Sequence, residues 1–233
     1  MSKITSYIPN TITSLNLISG CMAVIMAFNL DTLYGSLTGQ ELFYIFIAAA
    51  CVFDFCDGLS ARLLKAYSNI GKELDSLSDL VSFGVAPGML MLNIIKDNAE
   101  IPDFAFGALL IPVLGALRLA IFNVDDTQST VFRGLPIPAN AIFWIGAAAW
   151  IGEYGYPGTG VILALVALIS LSMVSKIRMF SLKFKNLSFY DNIKRYGIIF
   201  AAIAFVIIYG VSGLAWTILM YILISVFMQK HID

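Results

Sequence analysis

FDFCDGLSARLLKAYSNIGKELDSLSDLVSF, residues 53–83, places four aspartates, Asp54, Asp57, Asp75 and Asp79, in a segment whose flanks are apolar. Asp54 and Asp57 are three apart, and Gly58, Ala61 and Arg62 continue one helical stripe; Asp75 and Asp79, four apart and preceded four back by Gly71, make a second. The short polar stretch AYSN between them predicts two antiparallel neighbouring helices with their acidic faces opposed. Small residues at Gly58, Ala61 and Gly71 leave room for close approach of backbones or of a ligand.

Outward from this stretch the chain reads as membrane protein. Of 233 residues, 59% are hydrophobic and 12% charged, against roughly 25% charged in soluble domains. Apolar windows bounded by charges, Pro and Gly predict an all-α polytopic bundle with eight spans, at about 11–29, 42–65, 73–95, 104–124, 136–152, 158–175, 195–209 and 212–229. Ile4, Tyr7 and Ile8 predict a short interfacial segment before the first span. With the N-terminus inside, the basic residues fall on the cytoplasmic side apart from Lys96 and the intramembrane Arg118, and an even number of spans returns the C-terminus inside. The expected location is thus a multi-pass cell membrane protein with its acidic stripes towards the cytoplasm. A net charge of −1 without a concentrated basic surface excludes a nucleic-acid partner. Cys21, Cys51 and Cys56 lie in apolar runs and carry no predicted chemistry.

Four carboxylates so placed repel one another, and ionised groups at membrane depth are costly unless paired. Hard oxygen ligands suit Mg²⁺, Mn²⁺ or Ca²⁺, and two such ions form a clamp for displacement at phosphorus. A cation transporter is the contrasting reading; it would place its charges near the midplane in related halves of the chain, whereas here they cluster towards one side and the second half has no matching set.

Asp54, Asp57, Gly58, Ala61, Arg62, Gly71, Asp75 and Asp79 together resemble the complete motif of the CDP-alcohol phosphotransferase family, D-x2-D-G-x2-A-R-x8-G-x3-D-x3-D. PNTITSLN, residues 9–16, is similar to the segment preceding the family's first helix. The resemblance implies a single membrane domain, with a six-helix catalytic core and N-terminal interfacial segment in residues 1–176 and a basic loop and helix pair in residues 177–233. It implies two Mg²⁺ or Mn²⁺ ions on Asp54, Asp57, Asp75 and Asp79, Asp79 also acting as catalytic base. Asn10, Thr13, Gly58, Ala61, Arg62 and Gly71 are then expected to meet a CDP-linked lipid, and a homodimer is expected.

DLVSFGVAP (residues 79–87), LRLAIFNV (117–124), FRGLPIPANA (132–141) and MVSKIRMFSLK (173–183) resemble segments of membrane-embedded phosphatidylserine and archaetidylserine synthases. That implies transfer from CDP-diacylglycerol or CDP-archaeol to L-serine with release of CMP; glycerol phosphate or inositol phosphate is the alternative acceptor. An amino-acid carboxylate calls for a cationic partner, for which Arg118, Arg133 and Lys183 are the candidates.

Overall fold

The computed structural model describes residues 3–125, 133–180 and 189–227. Lys183 lies outside them. Helix α1, Lys3–Ala27, runs into a two-stranded hairpin, β1 Leu33–Tyr34 and β2 Leu37–Thr38, and then α2, Gly39–Leu63. Thr38 starts α2 with a capping box: its hydroxyl accepts from Glu41 N at 3.1 Å, and the Glu41 carboxylate accepts from Thr38 N at 2.8 Å. The expected interfacial segment is not a separate element, because α1 passes unbroken through Pro9. Hydroxyls of Thr11, Thr13 and Ser14 each donate to the carbonyl four residues back in the turns around and after the proline.

The turn after α2 closes with Lys65 in the left-handed region, φ 50°, where Lys65 N donates to Arg62 O and Ala66 N to Ala61 O. This is a Schellman closure, with lysine where glycine is the usual occupant. Ser68 then caps α3, Asn69–Asp79, by accepting from Gly71 N at 3.0 Å. The chain continues through a wide π turn, Leu80–Val85, into α4, Ala86–Asn98. The π turn is anchored by α6: Asn140 Nδ2 donates to Phe83 O at 3.0 Å, and Trp144 Nε1 donates to Asn140 Oδ1 at 3.0 Å. All three residues are buried.

A 3₁₀ segment, Pro102–Leu109, leads into α5, Leu110–Val124; α6 is Ile137–Tyr154 and α7 is Thr159–Val174. Phe43, Ile47, Phe83, Leu90, Met91, Trp144, Ile162 and Ile169 fill the centre of the bundle. Outside, Phe55, Ile70, Phe106, Leu168 and Ile207 are exposed, as residues facing lipid would be. Among the described residues, five stretches are long and apolar enough to cross a membrane, and α7 is a shorter apolar helix. The protein is an integral membrane bundle.

The last apolar stretch, Arg195–Phe227, is long enough to count as one span, yet it is folded as two helices. Helix α8, Phe189–Tyr209, ends in a 3₁₀ turn, Gly210–Ser212, and α9, Gly213–Phe227, packs back on it. Gly146 of α6 lies so close to Ala215 that a Cβ there would sit 2.2 Å from Ala215 N, which is how α9 docks on the bundle. Ser212 adds a hydrogen bond to Glu153 Oε2 at 2.7 Å.

Candidate functional site

The acidic stripes of α2 and α3 meet. One carboxylate oxygen from each of Asp54, Asp57 and Asp75 lies within 4.8 Å of the others. Asp57 is 5% exposed. Asp57 Oδ2 and Asp75 Oδ1 are buried and lack any hydrogen-bond partner. Carboxylates crowded together away from water are stabilised by a positive charge between them. Three converging hard oxygen donors fit a divalent cation of the Mg²⁺ or Mn²⁺ kind.

Asp57 and Asp75 border a cavity of about 300 Å³ between the first turns of α1, the end of α2 and the start of α3. Every residue expected to meet the CDP-lipid lines it: Asn10, Thr13, Gly58, Ala61, Arg62 and Gly71. The two glycines serve it differently. A Cβ on Gly58 would meet nothing within 4 Å, so this position opens into the cavity. A Cβ on Gly71 would press on Asn10 Oδ1 and Ser68 Oγ, each at 2.9 Å, so Gly71 permits α1 and α3 to close on each other. The Thr13 hydroxyl donates to Pro9 O at 3.0 Å and lies beside Asp57. Arg62 turns back on its own helix, Nε donating to Gly58 O at 2.9 Å.

The cavity also holds residues the sequence reading did not single out, notably Tyr67 and Lys72. Lys72 Nζ donates to Asn123 O at 3.1 Å, tying α3 to α5. Lys72 is three residues before Asp75 and so shares its helical face, a spacing from which it could have been found.

Asp79 stands one turn beyond Asp75 and outside the group of three. Its Oδ1 accepts from Asn16 Nδ2 at 3.2 Å. Of the acceptor candidates among the described residues, neither Arg118 nor Arg133 lines the cavity. Arg118 is 5% exposed within α5, its guanidinium 5.2 Å from the Phe122 ring centroid, with Nε buried and unpartnered. It falls between two contacts of α5 with the helix carrying Asp79: Asn123 Nδ2 donating to Ser76 Oγ at 2.8 Å, and Gly115 against Gly84. Arg133 is instead exposed, in a strap that runs antiparallel to residues 172–178. There it forms an isolated bridge with Arg178, next to the bonds Gly134 N to Ile177 O at 2.9 Å and Leu135 N to Ser172 O at 3.0 Å.

The sequence profile of CDP-alcohol phosphatidyltransferases matches residues 6–173. A CDP-diacylglycerol–serine O-phosphatidyltransferase of Methanocaldococcus jannaschii is 37% identical over 171 residues, 73% of this chain and 72% of that protein. The Bacillus subtilis protein of the same name is 36% identical over 174 residues, covering 74% and 89% of the two chains. An archaetidylserine synthase of Methanothermobacter thermautotrophicus is 34% identical over 176 residues, covering 74% and 71%. With its acidic motif converging in space on a single cavity, and with this extent of similarity, the chain belongs to the CDP-alcohol phosphatidyltransferase family.

Proposed function

We propose that the protein transfers a phosphatidyl-type group from a CDP-linked lipid, CDP-diacylglycerol or CDP-archaeol, to L-serine and releases CMP. The observation that carries this reading is the trio Asp54, Asp57 and Asp75, with two buried unpartnered oxygens, at the edge of a cavity lined by the small and polar residues of the motif. The names of the similar proteins support serine as acceptor.

The serine Oγ–P bond forms as the bond from phosphorus to CMP breaks, and the hydroxyl proton passes to the Asp79 carboxylate. Asp54, Asp57 and Asp75 would hold the divalent ions, two Mg²⁺ or Mn²⁺ on this reading with Asp79 close by, and the ions would supply charge neutralisation at the diphosphate. Gly58 and Ala61 admit the nucleotide, Asn10 and Thr13 face it from α1, and Arg62 and Lys72 add positive charge around it. Arg118 receives the serine carboxylate: a buried guanidinium with an unpartnered Nε has a vacant donor for an anion, and its height on α5 matches that of the Asp79 segment. Exposed Arg133 adds positive charge that meets anionic headgroups.

The deciding experiment incubates the purified protein with CDP-diacylglycerol or CDP-archaeol, Mn²⁺ or Mg²⁺, and labelled serine, glycerol 3-phosphate or inositol phosphate. CMP release that depends on serine alone is the expected result; release with either phosphate acceptor and not with serine reassigns the acceptor. Arg118→Met is expected to raise KM for serine by about tenfold or more, a loss of about 1.4 kcal/mol, with KM for CDP-lipid little changed.

The same reading puts both termini and the cavity on the cytoplasmic side, where the basic residues gather. Labelling of single-cysteine variants with an impermeant reagent tests this, and labelling of residue 65 only from outside intact cells overturns it. The assembly is a homodimer, tested by light scattering in detergent.

A further inference from the structure

We infer that Asn16 is the positioning residue for Asp79: it holds this carboxylate apart from the Asp54, Asp57 and Asp75 cluster and orients it towards the acceptor hydroxyl. The inference rests on Asp79 being the base of the proposed reaction. Asn16, on α1, is fully buried, and its Nδ2 donates to Asp79 Oδ1 at 3.2 Å.

The direction of that amide follows from both of its ends. Ser82, also fully buried, lies 2.7 Å from Asn16 Oδ1 and donates to it. The ionised Asp79 carboxylate can only accept, so the NH₂ end of the amide faces it, and Oδ1 is left to accept from Ser82, whose hydroxyl also lies 3.1 Å from Asn16 O. Ser82 in turn sits in the π turn, whose Phe83 carbonyl is held by Asn140, itself held by Trp144. A chain of buried, mutually satisfied groups therefore runs from the centre of α6 to one oxygen of Asp79.

A general base needs one oxygen free for the proton and a fixed approach to it. A carboxylate joined to the backbone through two rotatable bonds has neither when three other aspartates that could hold a cation stand nearby. Left loose, Asp79 swings into the cluster as one more ligand. With Oδ1 occupied by Asn16, Oδ2 remains for the acceptor. The proton moves from the acceptor hydroxyl to Oδ2 as the new O–P bond forms, and passes to water after CMP departs.

The test uses full-length protein in detergent and four variants: Asn16→Ala, Asn16→Asp, Ser82→Ala and Asp79→Asn. For each, kcat and KM for serine and CDP-diacylglycerol are measured, together with Mn²⁺ affinity by calorimetry in the absence of substrates. Asn16→Ala is expected to lower kcat by about 30- to 100-fold, the scale of a misplaced reacting group, with KM for CDP-lipid within about twofold. Its Mn²⁺ affinity is equal or tighter, because the released Asp79 can reach the cluster. Ser82→Ala lowers kcat by a smaller factor, about three- to tenfold, since the amide persists but can turn over. Asn16→Asp keeps the volume, removes the donor and lowers kcat at least as far as Asn16→Ala, which separates lost hydrogen bonding from lost packing.

Wild-type kcat in Asn16→Ala or Asn16→Asp overturns the inference, as does a parallel loss of Mn²⁺ affinity and CDP-lipid binding. Should Asn16→Ala fail to fold, Asn16→Asp and Ser82→Ala decide by the same readouts. Asp79→Asn at wild-type kcat removes the base assignment itself; a slow Asp79→Asn beside a fast Asn16→Ala removes only the role of Asn16.

Discussion

Gly58 and Asp57 are sequence neighbours with opposite surroundings: one faces empty space, the other is nearly enclosed. Because a Cβ at Gly58 meets no protein atom within 4 Å, Gly58→Leu is expected to fold with little change in Tm. Its side chain enters the cavity and weakens CDP-lipid binding at least about tenfold, read by equilibrium binding of a labelled CDP-lipid. Normal binding by that variant would mean the ligand does not pass Gly58. Asp57→Asn and Asp75→Asn preserve size but replace half of each carboxylate by a donor that repels a cation. Each is expected to cut turnover by more than about 100-fold, since even groups behind a metal ligand cost about 10- to 100-fold when lost, and to weaken Mn²⁺ binding in calorimetry. The acids were legible in the sequence because their i, i+3 and i, i+4 spacing fixes one face of each helix. Asn16 was not. Its function depends on a contact with a residue 63 positions away, and no local spacing announces such a pair.

At the scale of elements, the turn between α2 and α3 carries a lysine where the backbone favours glycine. Lys65 is exposed at φ 50°, a conformation that costs a side-chain-bearing residue roughly 1–2 kcal/mol. Lys65→Gly is expected to raise stability by up to about 1 kcal/mol, seen as a higher Tm in detergent with the acidic cluster unaltered. A lower Tm would show that the lysine side chain makes a contact worth more than the strain. Seven of the expected spans agree with observed helices to within a few residues, because runs of apolar side chains bounded by Pro, Gly and charge leave little choice. The first does not, since α1 begins at Lys3 and takes in Pro9 together with the residues expected to form a separate interfacial segment. Nor did hydropathy reveal the π turn. Leu80–Val85 is as apolar as ordinary helix, and its extra residue is recognisable only from the anchoring of Phe83 by Asn140.

Across the whole molecule, the α8–α9 hairpin is fastened to α6 while the acid cluster and cavity belong to α1, α2 and α3. A bulky residue at position 146 therefore strikes α9 and leaves the cavity intact. Gly146→Leu is expected to lower stability by about 1–3 kcal/mol while KM for CDP-lipid stays within about twofold, measured by thermal unfolding and steady-state kinetics on the same preparation. A large rise in that KM would make the hairpin part of the substrate site. Position along the membrane normal has its own consequence. The cavity lies at one end of the bundle, by the turn joining α2 and α3, far along both helices from the small β hairpin that precedes α2. A lipid whose headgroup enters there can be drawn from a single leaflet, and the new phospholipid is left in that same leaflet. A zwitterionic or charged headgroup crosses hydrocarbon unaided only at great cost. On the proposed reaction, each turnover therefore leaves its product in the leaflet that supplied the donor lipid.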